Sequence, residues 1–269
     1  MEYAFTAKVL NAYDVDYFYC QASGLLQTEL PYWLDHAYQN AISDLDVGIL
    51  LRNETNAQVL PWLLELLEFV DKSIVDVACG YGILPRMLRD RGFDCYGFDK
   101  YCQNLFAKHF EPPLGLNAGL LLAFETLEHV FDPVSFLEEV FTRFNCRNLI
   151  FSTLTFEDSI PTLDWWYYVF ETGQHITFYQ PRTLSMIAEK LGCYYLSLSP
   201  ELHLYTEKPL SFIQGNIITS RRLLKAYTFW YNHLKRSKKM SKLSEDMSYI
   251  KRKFDSKFKN LVENQEDTD

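Results

Sequence analysis

The chain has 269 residues, of which 48% are hydrophobic and 16% aromatic, and its formal net charge is −9. This length predicts one α/β domain with additions, although two small domains are possible. The negative charge argues against binding nucleic acid through bulk electrostatics. The sequence contains no apolar run of about 20 residues, so we expect no membrane span. Because the start lacks a basic and then apolar signal pattern and the six cysteines are scattered, we expect a cytoplasmic protein with reduced thiols.

The N-terminal part, residues 1–43, is expected to form a hairpin and a helix that precede the main domain. Residues 16–29 fit two strands that turn at Ser23 and Gly24. Residues 31–42 place their apolar side chains at helical spacing, so we expect a helix there.

The main domain is expected over residues 44–208, and it begins with helical segments. Residues 45–52 and 55–70 have helical patterns, and Pro61 is expected to bend or divide the second one. The broad apolar face of this second segment predicts packing on the sheet, where the helix could also cover a bound ligand.

The stretch around which the main domain is organised is a strand followed by a glycine turn. Residues 74–78 form a short apolar run rich in β-branched side chains, which predicts a buried parallel strand. Gly80 and Gly82 predict a tight turn in which the backbone can approach a ligand closely. Residues 83–89 then predict an amphipathic helix, whose free N–H groups can hold a polar or anionic group.

A second strand, residues 93–98, follows and places Asp99 at its carboxyl end. A strand, a glycine turn, a helix, a strand and a terminal acid form the nucleotide-binding half of a Rossmann-like fold, in which the acid accepts hydrogen bonds from ribose hydroxyls. The loop lacks the third glycine of Gly-x-Gly-x-x-Gly, and Asp76 lies inside the strand. An NAD-dependent oxidoreductase is therefore the less favoured alternative.

The remaining pattern continues the alternation of strands and helices. Residues 101–110 fit a short helix that leads into a weak third strand, and residues 120–124 form an apolar run that predicts the central fourth strand. Asp132 is a good N-cap and Pro133 suits the first helical position, so a helix should begin there. The later elements are a fifth strand (residues 148–154), an aromatic insertion expected to line the acceptor pocket (155–172), a helix (181–191) and an antiparallel strand pair (193–198 and 202–206).

Residues 76–82, Asp99 and residues 124–130 (Phe-Glu-Thr-Leu-Glu-His-Val) together resemble class I S-adenosylmethionine-dependent methyltransferases. The resemblance covers about residues 74–199, and Ala78 stands where the family's usual loop has its first glycine. It implies a Rossmann-like α/β fold with a mostly parallel seven-stranded sheet flanked by helices. The implied reaction is methyl transfer from S-adenosyl-L-methionine to a small-molecule acceptor, with a sugar or glycan precursor as one candidate. The alternative is a non-catalytic binding module that keeps the fold.

The N-terminal hairpin resembles that of a subgroup of these enzymes, in which a Cys-x-x-Cys pair precedes Gln-Thr-Glu. Here Cys20 is kept and Ser23 replaces the second cysteine. Since a closed structural zinc site needs four ligands, we expect no metal site. Many relatives also carry an acid just before the fourth strand, where this chain has Gly119.

The resemblance implies which residues bind the cofactor. Asp76 would help to order the loop, Gly80 and Gly82 would pass close to the methionine moiety, and Asp99 would hold the ribose. The expected cofactor-binding residues are Asp76, Ala78, Cys79, Gly80, Tyr81, Gly82, Asp99, Lys100, Phe124 and Glu125.

Two histidines are candidates for a general base. An in-line methyl transfer depends mainly on alignment, but an oxygen, nitrogen or carbon acceptor often has to lose a proton, for which histidine is suited near neutral pH. His175 is the first candidate, because a similar Gly-x-His stretch lines the active site of family members that act on sugars or small molecules. His129 is the second candidate, and hydrogen bonding that caps the following loop is its alternative role. Glu128 could orient either imidazole or bind an acceptor hydroxyl.

The C-terminal segment, residues 209–269, carries half of the chain's 26 lysines and arginines. Its pattern predicts a basic helical extension. This extension could make a weak contact with an anionic membrane surface or a partner, or it could pack one apolar stripe onto the domain. The fold by itself does not identify the acceptor, and the oligomeric state stays open.

Overall fold

The computed structural model describes residues 1–38, 45–235 and 239–266. It contains two β-sheets and the helices that pack on them. The strands are β1 (Glu2–Val9), β2 (Tyr13–Cys20), β3 (Leu25–Thr28), β4 (Ile74–Asp76), β5 (Cys95–Gly97), β6 (Leu120–Ala123), β7 (Leu149–Ser152), β8 (Thr177–Phe178), β9 (Tyr194–Ser197) and β10 (Leu202–Thr206). The α-helices are α1 (Leu34–Ala37), α2 (Ile49–Leu66), α3 (Ile83–Asp90), α4 (Pro133–Phe144), α5 (Pro181–Lys190), α6 (Phe212–Thr219), α7 (Arg221–Trp230) and α8 (Leu243–Glu266).

The larger sheet has the strand order β5-β4-β6-β7-β10-β9. Its first four strands run parallel, whereas β10 pairs antiparallel with both β7 and β9. One face of the sheet packs against α4 and α5, and the other packs against α2 and α3. The strands β4, β6 and β7 are buried along their whole length, as expected for parallel strands covered on both faces. The predicted Rossmann-like α/β architecture is therefore confirmed.

This sheet contains six strands within the described residues, where seven were expected. Residues 101–110 were expected to supply a short helix and a third strand, but they form turns and bends. The Asn104 side chain donates to the carbonyl of Ala107 over 2.9 Å and accepts from the N–H of Ala107 over 3.0 Å. These local bonds satisfy backbone groups that a strand would pair across the sheet.

The smaller sheet is antiparallel, with the strand order β1-β2-β3-β8. The predicted hairpin corresponds to β2 and β3, while β1 was not predicted and pairs with β2 from Glu2 to Val9. The short strand β8 follows His175 and pairs with β3, with Phe178 opposite Leu26. The N-terminal sheet therefore positions the segment that carries His175.

Most of the aromatic insertion contributes to the core beside the smaller sheet. Phe156, Tyr167 and Tyr168 are buried there. Of these three, Tyr167 also reaches the end of β7, where its hydroxyl accepts from the N–H of Leu154 over 3.0 Å. The insertion thus acts largely as core, and its expected role as a wall of the acceptor pocket stays a prediction.

The helices at the start of the main domain differ from the prediction. Helix α2 is a single helix that contains Pro61, and it begins only at Ile49. Leu60 and Leu64 are both buried, so packing on either side of the proline offsets the cost of about 3 kcal/mol for a proline inside a helix. The helix expected over residues 31–42 is represented by α1, and residues 39–42 of that prediction lie outside the described part of the chain.

The C-terminal segment folds back onto the main domain. The N–H of Lys242 donates to the carbonyl of Arg89 over 3.0 Å. Asp246, in the first turn of α8, is only 2% exposed and forms ion pairs with both Arg89 and Arg86. Across the described parts of the chain, no helix combines the length and apolar character that crossing a membrane requires.

Candidate functional site

The glycine turn lies between β4 and α3, and its two glycines have different tasks. Gly80 and Gly82 both have a left-handed backbone, with φ values of 53° and 83°. A Cβ atom added at Gly82 would lie 2.0 Å from Oδ1 of Asn104, so the packing of the protein itself requires this glycine. A Cβ atom added at Gly80 would meet no atom within 4 Å. Gly80 therefore exposes its backbone to open space that a ligand can occupy.

Asp99 fastens this turn to the end of β5. Its Oδ2 accepts from the N–H of Gly80 over 2.9 Å, and its Oδ1 accepts from the N–H groups of Tyr101 and Cys102, each over 2.8 Å. A carboxylate has about four acceptor positions, so these bonds leave about one for a ligand hydroxyl. Asp99 therefore helps to order the glycine turn, a role that the sequence assigned to Asp76.

Asp76 lies below the turn and is only 3% exposed. Burial raises its pKa to about 8, the charge of Asp99 adds to the increase, and the backbone N–H of Ala78 opposes it. At pH 7 the Asp76 carboxyl is therefore mostly protonated and can donate a hydrogen bond. The structure brings Asp76, Asp99 and Gly80 together, as the sequence predicted.

The other residues expected to bind the cofactor around the turn have mixed surroundings. Cys79 packs against β5, since its Sγ would lie 2.9 Å from a Cβ at Gly97, and burial raises its pKa. The carbonyl of Tyr81 accepts from the N–H groups of Leu105 and Phe106, so it anchors the next loop. Lys100 is exposed. Its Nζ lies over the ring of Tyr101, 5.8 Å from the ring centroid.

The carboxyl end of β6 carries a strained residue. Glu125 has a φ of 49°, which is uncommon for any residue other than glycine and costs about 1–3 kcal/mol. Its N–H donates to Oγ of Ser152 over 2.7 Å, and the Ser152 hydroxyl donates back to Oε1 of Glu125 over 2.6 Å. The strain is therefore held by the neighbouring strand β7. Phe124, just before it, is partly buried against the face of the sheet that packs on α2 and α3.

Glu128 lies in a short 3-10 turn after Glu125 and is fully buried. Neither of its carboxylate oxygens has a hydrogen-bond partner. Burial raises the pKa of Glu128, the charge of Glu125 raises it further, and the nearby hydroxyls of Tyr167 and Thr153 partly oppose the change. A buried carboxyl group without partners costs folding free energy, so this residue indicates a binding site rather than a structural one.

His129 and His175 lie next to each other, with ring centroids 4.9 Å apart and planes at 86°. Nδ1 of His129 is 3.0 Å from the carbonyl oxygen of Gln174, and Nδ1 of His175 is 2.7 Å from that of Tyr167. Because a carbonyl oxygen can only accept, each Nδ1 carries the proton. In a neutral ring, Nε2 then keeps its lone pair.

Both rings are neutral at pH 7. Burial lowers the pKa of His129 to about 3, with a further decrease from His175, against the opposing effect of the Gln174 carbonyl. Burial also lowers the pKa of His175 to about 4, opposed by the Tyr167 carbonyl and assisted by the charge of Arg52. Each ring thus keeps one unprotonated nitrogen, and both residues lie close to the buried carboxyl of Glu128. One ligand atom from each of these three residues lies within 4.8 Å of the others.

The sequence analysis identified Glu128, His129 and His175 as site residues. It did not identify the groups that orient the site residues through hydrogen bonds. Tyr167 and Gln174 fix the two rings through their carbonyls, and Ser152 fixes Glu125. Ser152 ends the strand next to β6, and a polar residue at the carboxyl end of a neighbouring parallel strand is a signal that could have found it. A backbone carbonyl leaves no such signal in the sequence.

Residues 51–198 match a family model described as a methyltransferase domain. A search among curated proteins returned no match.

Among solved structures, the chain is similar to a magnesium protoporphyrin IX methyltransferase from Synechocystis, solved with bound SAH, at 15% identity and a TM-score of 0.42 over 65% of this chain and 94% of the other. It is also similar to a possible histamine N-methyltransferase from Thermotoga maritima, at 15% identity and a TM-score of 0.40 over 60% and 96%. Human N-acetylserotonin methyltransferase matches at 14% identity and a TM-score of 0.40 over 66% of each chain.

Proposed function

We propose, from the premise that this chain belongs to the methyltransferase-domain family, that it methylates a small molecule rich in hydroxyl groups. The family and the fold make it an enzyme that uses S-adenosylmethionine. The identity of the acceptor is our proposal, and it rests on the cluster formed by Glu128, His129 and His175. A sugar or a glycan precursor is the acceptor class that we favour.

The observation that carries this proposal is that the cluster offers acceptors of hydrogen bonds. Glu128 has two unpartnered oxygens, and His129 and His175 each offer a bare Nε2. A ligand that satisfies such a cluster must bring donors or a positive charge. Several hydroxyl groups on one ring meet that need, because each can donate one hydrogen bond in a defined direction.

The glycine turn is the proposed site of the methyl donor. Open space beside Gly80, the protonated carboxyl of Asp76 and the remaining acceptor position of Asp99 support this assignment. We extend it to the full set predicted from the sequence. These residues are Asp76, Ala78, Cys79, Gly80, Tyr81, Gly82, Asp99, Lys100, Phe124 and Glu125.

Catalysis then depends mainly on alignment. Methyl transfer is an in-line displacement in which the acceptor atom forms a bond to the methyl carbon while the carbon–sulfur bond breaks and its electron pair goes to sulfur. His175 and His129 stay candidates for the base that removes the hydroxyl proton. Their low pKa values make them weak bases at pH 7, so we expect them to contribute more by accepting hydrogen bonds.

The test has a binding part and a turnover part. Calorimetry with S-adenosylhomocysteine, S-adenosylmethionine and NAD should give binding of the first two and none of NAD. On a panel of sugar, phenol and amine acceptors, we expect turnover with a polyhydroxylated acceptor and a loss of at least about 100-fold in kcat/KM for Glu128→Gln. His233→Gln, which changes an exposed histidine far along the sequence, is the control.

Two outcomes would contradict the proposal. Full turnover by both His175→Ala and His129→Ala would show that neither histidine is the base. Binding of S-adenosylmethionine without turnover on any acceptor of the panel would favour a binding module.

A further inference from the structure

We infer that Glu128, His129 and His175 bind a divalent transition-metal ion of the Mn²⁺ or Zn²⁺ type. The role of the ion in activating an acceptor hydroxyl rests on the proposed function, whereas the existence of the metal-binding site does not. The sequence predicted no metal site, because the hairpin with Cys20 and Ser23 lacks the four ligands of a structural zinc site.

The first support is the position of the ligand atoms. One atom from each of the three residues lies within 4.8 Å of the other two. Ligand atoms bound about 2.1 Å from one ion can be at most about 4.2 Å apart, so small rotations of the side chains suffice to close the site. His129 belongs to the same short turn as Glu128, and the carbonyl of Glu128 accepts from the N–H of Ile176 over 2.8 Å, next to His175. The backbone therefore holds the three residues together.

The second support is the orientation of the two imidazoles. Each Nδ1–H donates to a backbone carbonyl, that of Gln174 for His129 and that of Tyr167 for His175. This second bond is the one that metal-binding histidines usually make, because it fixes the ring and leaves Nε2 for the ion. Tyr38 adds to it, since its hydroxyl oxygen lies 2.9 Å from Nδ1 of His129 and can share the same proton.

The third support is the buried carboxyl group of Glu128. Glu128 is fully buried and neither oxygen has a hydrogen-bond partner. The negative charge of Glu125 acts on it, and Arg52, whose charge reaches both glutamates, is exposed and already bonded to Asp46 over 2.7 Å. A divalent cation would bind the ionised form of Glu128 and supply the contacts that its two oxygens lack.

The ligand set indicates the kind of ion and its task. Two imidazoles and one carboxylate suit first-row divalent ions, and three protein ligands leave positions open, as in catalytic rather than structural sites. An acceptor hydroxyl in an open position would become more acidic and pass its proton to water. Its oxygen would then attack the methyl carbon while the carbon–sulfur electron pair leaves to sulfur. In this arrangement His129 and His175 would be ligands, so they would not act as the base.

The test uses the full chain after removal of metals with a chelator. Mn²⁺ is the better probe, since the free thiols of the chain would also bind Zn²⁺. Electron paramagnetic resonance and equilibrium dialysis should give one tightly bound Mn²⁺ per chain. Glu128→Gln, His129→Gln and His175→Gln should each weaken this binding by at least about tenfold, because each removes one ligand. His233→Gln should leave it unchanged.

Each result decides one way. Equal Mn²⁺ affinity of the wild type and the three variants, or no binding beyond that of the triple variant, overturns the inference. Thermal melts show whether each variant is folded, and Glu128→Gln is the safest, since it keeps the shape of the side chain. Binding of S-adenosylhomocysteine, measured on the same metal-free samples, separates the two proposals. If it binds and Mn²⁺ does not, the metal site fails and the methyltransferase assignment stands.

Discussion

Asp246 fastens the C-terminal helix α8 to the main domain, and its removal should release that helix. Oδ1 of Asp246 accepts from Nη2 of Arg89 over 2.5 Å, and Oδ2 accepts from Nε of Arg89 over 2.9 Å. Arg86 lies 2.9 Å from the same carboxylate. Arg89 is only 4% exposed, so Asp246→Ala would leave a buried guanidinium without its two-bond partner.

The expected cost follows from the contacts that remain. Breaking a buried ion pair by removing one partner costs about 3–5 kcal/mol. Arg89 would keep its bond to the carbonyl of Cys95 at 3.2 Å, a longer contact with Asp94 at 3.4 Å, and the face of the Phe110 ring at 3.8 Å. We therefore expect about 3 kcal/mol, which corresponds to about a 100-fold increase in the population with α8 detached.

Hydrogen exchange read by mass spectrometry is the suitable assay, because it resolves the peptides of α8 from those of the sheet. In Asp246→Ala the amides of residues 243–256 should exchange about 100-fold faster than in the wild type. Glu245→Ala is the control, since Glu245 lies one residue earlier and pairs only weakly at the surface, with Lys242 over 3.3 Å. Equal exchange in the two variants would refute the reasoning.

The same ion pair predicts a dependence on pH. Burial alone would raise the pKa of Asp246, but hydrogen bonds from Arg89 and Arg86 outweigh it and lower the pKa. A carboxyl group whose pKa is lower in the folded state contributes stability above its unfolded pKa, and that stability is lost as the pH falls. Protection of α8 should therefore decrease in acid in the wild type and change less in Asp246→Ala.

Two further predictions concern the glycine turn. Gly80→Val should weaken S-adenosylhomocysteine binding by at least about tenfold in calorimetry, because the new side chain enters the open space beside the turn. Gly115→Val is the control and should bind normally. Its φ of 76° gives a backbone strain similar to that at Gly80, where φ is 53°, and it too has no atom within 4 Å. Loss of binding in both variants would assign the effect to strain. Burial raises the pKa of Asp76 to about 8, so the wild type loses folding stability as the pH rises from about 4 towards 8. Asp76→Asn should remove this loss, because asparagine does not ionise. The free energy of unfolding in urea should be measured for both proteins at pH 5 and pH 8.5. Relative to the wild type, Asp76→Asn should gain at least about 1.4 kcal/mol between the two pH values. Parallel pH curves would contradict this prediction.

The sequence predicted the parts of the fold that local patterns determine. The apolar run of β4, the glycine turn and helix α3 are contiguous, so composition and turn chemistry suffice to place them. The helix α4 begins at Pro133 after the N-cap Asp132, whose Oδ1 accepts from the N–H of Ser135 over 3.0 Å, as the two residues indicated.

Long-range pairing could not be predicted in the same way. Strand β8 has two residues and pairs with β3, which lies about 150 positions earlier in the chain. Nothing in the segment 177–178 itself indicates that partner. Strand β1 was missed because its residues are mostly exposed or half-buried and lack a clear alternation. The smaller sheet that positions His175 was therefore only partly visible in the sequence.

The residues of the site were found, but their chemical states were not. Sequence motifs selected His129, His175 and Glu128 without indicating which nitrogen carries the proton or that Glu128 lacks partners. Those properties follow from burial and from backbone carbonyls contributed by distant segments. Asp99 illustrates the same limit, since the sequence predicts an acid at that place but not that three backbone N–H groups already bind it.

The acids around the two halves of the site have a common electrostatic consequence. Positive charge disappears from sulfur during methyl transfer, so ionised carboxylates close to it would stabilise the reactant more than the transition state and slow the reaction. In our proposal the donor binds beside Gly80, and there the raised pKa of the buried Asp76 keeps this group neutral at pH 7. Burial also raises the pKa of Glu128, which favours its neutral form in the metal-free protein, and a bound cation would favour the ionised form. Burial thus favours protonation of both carboxyl groups, and in our proposal only Glu128 becomes ionised, when it binds the metal ion.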